Sequence, residues 1–417
     1  MNSRRASPAG RGEDPGLIQG LLALIGGVTI CLACTGAGDD PPQAEDAEGD
    51  SADTEWELVE DLRLDGNAED FSVVSRVYVG PRREIVVPEP QDRRLRLYDS
   101  TGTLVTMIGR SGDGPGEFRY VGPVFWTADT LVVWDAELNR GTYLLPDGTL
   151  IRTEAGRFFG RDFRAAEADS TYIRFIPAAV DAEGAKLGDA YLMVPAGGGN
   201  VVGGAVFLRV SRGGEPSVVA TPPRPDDERW SVTVSGLNNP VPFAFRVRAG
   251  IAPDGSRFLF MTADQSTLDP AYNLTLVRPT HDTVFSRSYP YPGEPIPDSA
   301  MDRGIAEMVP ENDLARRFRA IARERAPLVY PPAAVTLGLD GTIWVELRRT
   351  DRGTPVHLLS ETGDPIGSLL LPVRSRIRQA SMTHLWVTEY DPLDLASVVR
   401  YRVIRHPGTG PRGGMEE

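Results

Sequence analysis

Short apolar runs broken by turn residues recur from Trp56 to Val403, and this recurrence constrains the fold more than any other feature of the chain. Ile85-Val86-Val87, Leu95 to Tyr98 and Leu104 to Ile108 form one cluster, with Asp99-Ser100-Thr101-Gly102 turning its last two runs around. Leu131 to Trp134, Gly141 to Leu145 and Thr149 to Ile151 form the next, with Pro146-Asp147-Gly148 as the turn. Apolar runs joined by glycine-bearing turns are the mark of β-hairpins. The theme returns in Ile251 to Gly255 leading into Arg257 to Met261, followed by Leu274 to Val277 and Thr283 to Phe285. It returns again in Val335 to Val345 around Asp340-Gly341, and in His357 to Leu359 and Ile366 to Leu371 around Glu361 to Asp364. His384 to Val387 and Val398 to Val403 make the last unit.

Units of roughly 40 to 50 residues with three or four strands each have the period of propeller blades. Blades fall near residues 70–118, 119–157, 158–222, 241–292, 329–373 and 376–405, the third being the least regular. The fold class expected is therefore all-β, a six-bladed β-propeller over residues 55–406. A two-sheet sandwich or separate β domains are the alternatives. A ring must close, because open first and last blades would leave sheet edges that aggregate. Trp56-Glu57-Leu58-Val59 reads as a strand able to join the C-terminal blade.

One helical insertion is predicted at about residues 298–326. Leu314, Phe318, Ile321 and Ala322 have helical spacing, Asn312 or Asp313 could cap the start, and Pro327 ends it. Arg316, Arg317, Arg319, Arg323 and Arg325 form a basic stripe, either a solvated face or an anion- or partner-facing lid.

The N-terminus carries a different signal. Arg4, Arg5 and Arg11 precede an almost wholly apolar stretch, Leu17 to Ala33. A basic start, an apolar middle and a small residue before the cut define a secretory segment. Leu32-Ala33-Cys34-Thr35 resembles a bacterial lipobox, which makes residues 1–33 a signal peptide and Cys34 the lipidated residue. Cys31 in place of the usual leucine, and Glu13 and Asp14 in the leader, depart from that pattern. An uncleaved anchor or a plain signal are the other readings, and all three export the domain. Residues 34–54, rich in Asp, Glu and Gly, read as a disordered acidic tether, and 407–417 as a disordered tail. The expected location is thus extracytoplasmic, at a membrane through a lipid anchor.

The segment Arg94 to Asp99, Gly102, Ile108-Gly109, Gly112 and Gly114-Pro115-Gly116-Glu117-Phe118 resembles the NHL repeat. Asp135 to Arg140 resembles the Asp-x-x-Asn-x-Arg turn of that repeat, with the asparagine and arginine closer together. The resemblance is sharp over residues 85–150 and weaker at Asp254-Gly255 and at Asp340 to Val345. It implies a six-bladed, NHL-like bacterial lipoprotein. It carries no single activity, since such propellers include scaffolds, sensors, lyases and lactonases. In this frame Asp135 accepts hydrogen bonds from turn amides and Arg140 pairs with it.

Composition narrows the chemistry. With 44 basic and 58 acidic residues the net charge is −14, so nucleic acid is not an expected partner. Both cysteines, Cys31 and Cys34, lie in the N-terminal segment, so the rest of the chain has no disulfide and no thiolate metal site. The sequence has no Gly-x-Ser-x-Gly elbow, His-Glu-x-x-His helix or Walker loop. Only His281, His357, His384 and His406 offer imidazoles, and His357 and His384 read as packed or turn residues in strands.

The leading expectation is a binding or scaffold module for a protein, peptide or glycan, with Arg110, Asp113, Glu117, Arg119, Trp126, Trp230 and Arg246 as candidates on its loop face. No cofactor is required. Calcium needs only oxygen ligands, and Asp135, Asn139, Asn200, Asn238, Asn239 and Asp264 lie near expected turns. The alternative is therefore a calcium-dependent, lactonase-like hydrolase or lyase using the central channel.

Overall fold

The structure, a computed structural model, describes residues 56–156, 171–196, 199–223, 231–234, 237–308 and 313–406. The N-terminal segment with Cys34, Trp230 and the C-terminal tail lie outside the described residues.

Six four-stranded antiparallel sheets follow one another along the chain, spanning Tyr78–Ile108, Val124–Ala155, Thr171–Ala220, Arg248–Pro290, Ala334–Leu371 and Ser375–Arg405. They are blades 1 to 6, and each lies within the bounds expected for it apart from a shift of a residue at blade 6. The second strand of a blade is covered by a neighbouring blade on each face, so its side chains cannot alternate between core and solvent. This is why Ile85-Val86-Val87, Ile343-Trp344-Val345 and Leu385-Trp386-Val387 read as unbroken apolar runs and are all buried. Outermost strands lose that cover, and Leu150–Ala155 is mostly exposed.

Third and fourth strands are joined by tight turns with one residue in the left-handed region. In blade 1 Asp99 accepts from the amide of Gly102 at 3.1 Å and donates to Thr103 at 2.9 Å, with Gly102 at φ 85°. Ser360 and Gly363 repeat this bond in blade 5. In blade 4 the left-handed residue is His281 at φ 67°, so the turn there has no glycine signal.

The ring closes as expected. Strand β1 (Trp56–Leu64) pairs antiparallel with the third strand of blade 6, from Trp56 opposite Arg405 to Leu64 opposite Val398. The N-terminal strand is thereby the outer strand of the last blade. The indole N–H of Trp56 donates to the carbonyl of Ile366 in blade 5 at 3.2 Å. Gly367 lies under that indole at φ 151°, where an added Cβ would sit 2.1 Å from Trp56 Nε1. Arg400 bonds Asp61 on β1 and the carbonyl of Ser100 in blade 1, joining the last blade to the first.

Two departures from expectation concern the insertions. The helical insertion consists of two helices, α1 (Asp298–Met308) and α2 (Asp313–Glu324), and the capping candidate Asn312 lies outside the described residues. A hairpin of Ser231–Val234 with Leu237–Pro240, not anticipated, precedes blade 4. Val232, Val241, Met301, Ile305, Phe318 and Ala322 form a small core shared by hairpin and helices. Fully buried Gln265 pins this cap to blade 4: its Oε1 accepts from Phe245 N at 2.6 Å, and its Nε2 donates to the carbonyls of Phe243 and Val329. Within the arginine stripe Arg323 pairs with Asp302 and Arg325 donates to the carbonyl of Ser231.

Candidate functional site

The inner strands of all six blades line one cavity of about 1350 Å³. Blade 1 contributes Tyr78 and Val79, blade 2 Phe125 and Trp126, blade 3 Ala178 and Val180, blade 4 Ala249 and Ile251, blade 5 Val335 and Leu337, and blade 6 Arg378 and Gln379. Because every inner strand ends where it turns into the second strand, Gly80, Ala128, Asp181, Pro253, Leu339 and Ser381 gather at one mouth. The wall is apolar and aromatic, with a few polar groups set into it, which is the usual make-up of a small-molecule site.

Those polar groups differ in how well they are satisfied. Asp181 is occupied: Oδ1 accepts from the amides of Glu183 and Ala185, and Oδ2 pairs with Arg209 at 2.6 Å. Asp254 accepts from the amide and hydroxyl of Ser256. The His384 ring lies tilted beside Trp386, with ring centroids 5.7 Å apart, and burial followed by the charge of Arg83 lowers its pKa. The Nε1–H groups of Trp126 and Trp386 are buried and have no hydrogen-bond partner among the described residues. Arg378 donates from Nε to Thr388 Oγ1 at 2.7 Å and from Nη2 to Tyr390 OH at 3.0 Å. Burial lowers its guanidinium below the usual value.

The loop-face candidates form a separate structure. Connections between blades leave from outer strands and lead into the start of inner strands, so they lie at the mouth opposite Gly80 and Ala128. In the blade 1 to blade 2 connection, Arg119 holds Asp113 through two 2.6 Å bonds. Arg110 holds Glu117, whose other oxygen accepts from Gly114 N. These four residues bond to one another and to the loop backbone. Trp126 alone of the described candidates lines the cavity, and Arg246 is exposed before blade 4.

The expected pairing of Arg140 with Asp135 is not formed. Arg140 donates instead to the carbonyls of Asp113, Gly114 and Glu117, clamping the glycine-rich loop. Asp135 is fully buried and accepts four amide hydrogen bonds, from Glu137, Leu138, Arg119 and Tyr120. A carboxylate so saturated by N–H donors has no need of a cation.

Of the calcium candidates, Asp135 and Asn139 share the turn after the second strand of blade 2, where Asn139 donates to the carbonyl of Gly156 at 2.6 Å. Asp264 is exposed at the matching turn of blade 4 and accepts from Ser266, and Asn239 lies in the hairpin opposite Val232. None of these four lines the cavity. The side chains of Asn200 and Asn238 lie outside the described residues. Among the described residues no three His, Cys, Asp or Glu side chains are placed to hold a metal ion.

Sequence reasoning missed Arg378, Gln379, Tyr78 and Trp386 as channel residues. The signal available was Arg376-Ile377-Arg378-Gln379, a polar pattern opening a blade whose neighbours open on apolar residues.

Fold and cavity together define a six-bladed β-propeller with a ligand-sized central channel. No protein-family model and no curated protein matches the sequence. Among solved structures the chain is similar to a duf4221 family member from Bacteroides vulgatus, at 12% identity and TM-score 0.45, covering 84% of this chain and 99% of that one. It is also similar to a catalytically inactive virginiamycin B lyase from Staphylococcus aureus with quinupristin, at 10% identity and TM-score 0.39, over 84% and 100% of the two chains. BamB from Moraxella catarrhalis matches at 12% identity and TM-score 0.26, over 78% and 70%. Similarities this distant bear on neither the ligand nor the chemistry of this chain.

Proposed function

We propose that this protein is a binding propeller, held outside the cytoplasm by its N-terminal segment and using the central channel as its ligand site. The observation that supports the reading is the single cavity lined by six inner strands. Its walls combine Tyr78, Phe125, Trp126 and Trp386 with the polar side chains of Arg378, Gln379 and His384. Large rigid aromatics supply contact area, and a few fixed polar groups supply orientation. The ring is a scaffold whose sheets pack face to face, so the cavity needs little reorganisation to receive a ligand. No observation favours the calcium-dependent hydrolase or lyase.

The test uses a neutral fluorescent probe, N-phenyl-1-naphthylamine, titrated against the full chain. Ala249 is exposed on the channel wall, so Ala249→Trp puts an indole into the cavity. The wild-type chain binds the probe and the A249W chain, with an unchanged circular dichroism spectrum, loses binding. Equal binding by both chains rules out the channel as the site.

A further inference from the structure

We infer that the channel takes an oxyanion-bearing ligand, whose carboxylate, phosphate or sulfate is received by Arg378 while its apolar body lies against Trp126 and the inner strands. This rests on the channel being the binding site and names the chemistry of what it binds.

The first support is the backbone. In blade 6 Ile377 lies opposite Val387 and Gln379 opposite Trp386, so Arg378 is the extra residue of a β-bulge. A bulge re-aims one side chain and is kept where that aim is used. Here the re-aimed residue is Gln379: regular alternation would have put it on the face toward blade 5 with Ile377, and the bulge sets it beside Arg378 on the cavity wall.

The second support is the hydrogen bonding. Arg378 spends Nε and Nη2 on two hydroxyls, Thr388 and Tyr390, which fix the guanidinium without neutralising it. Its bonds among the described residues are those two, from Nε and Nη2 and not from Nη1, and the residue lines the cavity. Several half-buried arginines of this propeller are paired with carboxylates, Arg94 and Arg96 with Glu89, Arg209 with Asp181, and Arg400 with Asp61, while Arg140 is held by backbone carbonyls. In a chain with 58 acidic residues, a desolvated arginine held by hydroxyls alone stands apart. A guanidinium fork matches two oxygens of a carboxylate or phosphate, and desolvation strengthens that bond.

The third support is the surrounding charge. Arg376, two residues earlier on the same strand, is exposed and adds like charge. The nearby acid is Glu346, which bonds the amide of Ile377 at 3.5 Å and makes no ion pair with either arginine. Burial pushes the Glu346 carboxyl up to about 7, so it is a weak counterion. On the opposite wall Asp181 is already paired and Asp189 lies in the field of Arg76.

The experiment compares 8-anilinonaphthalene-1-sulfonate with N-phenyl-1-naphthylamine, the same body without the sulfonate. The wild-type chain is expected to prefer the sulfonate by about tenfold, the scale of one charge-assisted hydrogen bond. R378Q is expected to remove that preference, R378K to keep part of it, and millimolar inorganic phosphate to displace the sulfonate but not the neutral probe. Equal affinity of the two probes in the wild type, or a preference that survives R378Q, overturns the inference and leaves the channel reading standing. If R378Q does not fold, phosphate competition on the wild-type chain decides: displacement of the sulfonate alone supports the inference, and no displacement overturns it. If neither probe binds, the channel reading itself fails and the inference with it.

Discussion

Trp56 donates its indole N–H to the carbonyl of Ile366, a residue 310 positions further along the chain. The bond joins the closing strand of blade 6 to the outer strand of blade 5. Closure is thus fixed twice, by the β1 ladder and by a side chain reaching across the seam. The sheets are buried on both faces only while the ring is shut, so the closing strand carries stability for all of them. A chain starting at Asp65 is expected to aggregate on expression, while one starting at Asp53 melts cooperatively. W56A, which empties a buried indole site, should lose about 3–5 kcal/mol in urea denaturation.

Asp135 sits where two segments of backbone need an acceptor. D135A leaves four amides without their carboxylate and should cost about 3 kcal/mol or more, among the larger effects for one polar side chain. D135N keeps one acceptor oxygen and is expected to fall between. Chemical denaturation with calcium present and absent gives the same ranking if Asp135 serves the turn. Rescue by calcium would assign it to an ion instead.

Glu346 couples stability to pH. Its folded pKa, raised by burial to about 7 from 4.5, means that the folded chain holds a proton the unfolded chain releases. Stability from this group is full below about pH 4.5 and is lost as pH rises through about 7, amounting to about 3 kcal/mol at one 1.36 kcal/mol step per pH unit. E346Q should flatten this slope and melt higher than wild type at pH 8. A melting temperature of E346Q below wild type at pH 8 contradicts the assignment.

Cys34 is expected to carry the lipid. Mass spectrometry of the membrane fraction should find a mature N-terminus at Cys34 with diacylglyceryl and acyl additions, and C34A should move the protein out of that fraction. A mature chain beginning elsewhere, or an unmodified Cys34, contradicts the lipobox reading.

Much of the fold was legible because blade burial writes itself into the sequence. Runs such as Leu131 to Trp134 are apolar throughout because each faces a blade on both sides. Asp99 to Gly102 shows the turn chemistry that ends them. Closure was legible too, since Trp56 to Val59 had no partner in its own neighbourhood of sequence. Legibility failed where a different residue type serves the same geometry, as His281 does in the left-handed position of blade 4. It failed at the hairpin before blade 4, whose apolar side is made by Val232 and helices some 70 residues away in sequence.

The channel was the least legible part. Its lining comes from six inner strands spread over about 300 residues, a few residues from each. Arg378 reads as one more polar residue in a strand until its bonds to Thr388 and Tyr390 and its place on the cavity wall show where it points. Arg110 to Arg119 drew attention for the opposite reason: a dense local motif, it folds into its own network and packs a loop.

The measurement closest to the central claim is a crystal structure of the chain soaked with N-phenyl-1-naphthylamine. Density for the naphthyl ring inside the ring of six sheets, against Trp126, is the result expected. Density lying only on the cap of helices or on a blade's outer edge, with the channel holding water alone, would contradict it.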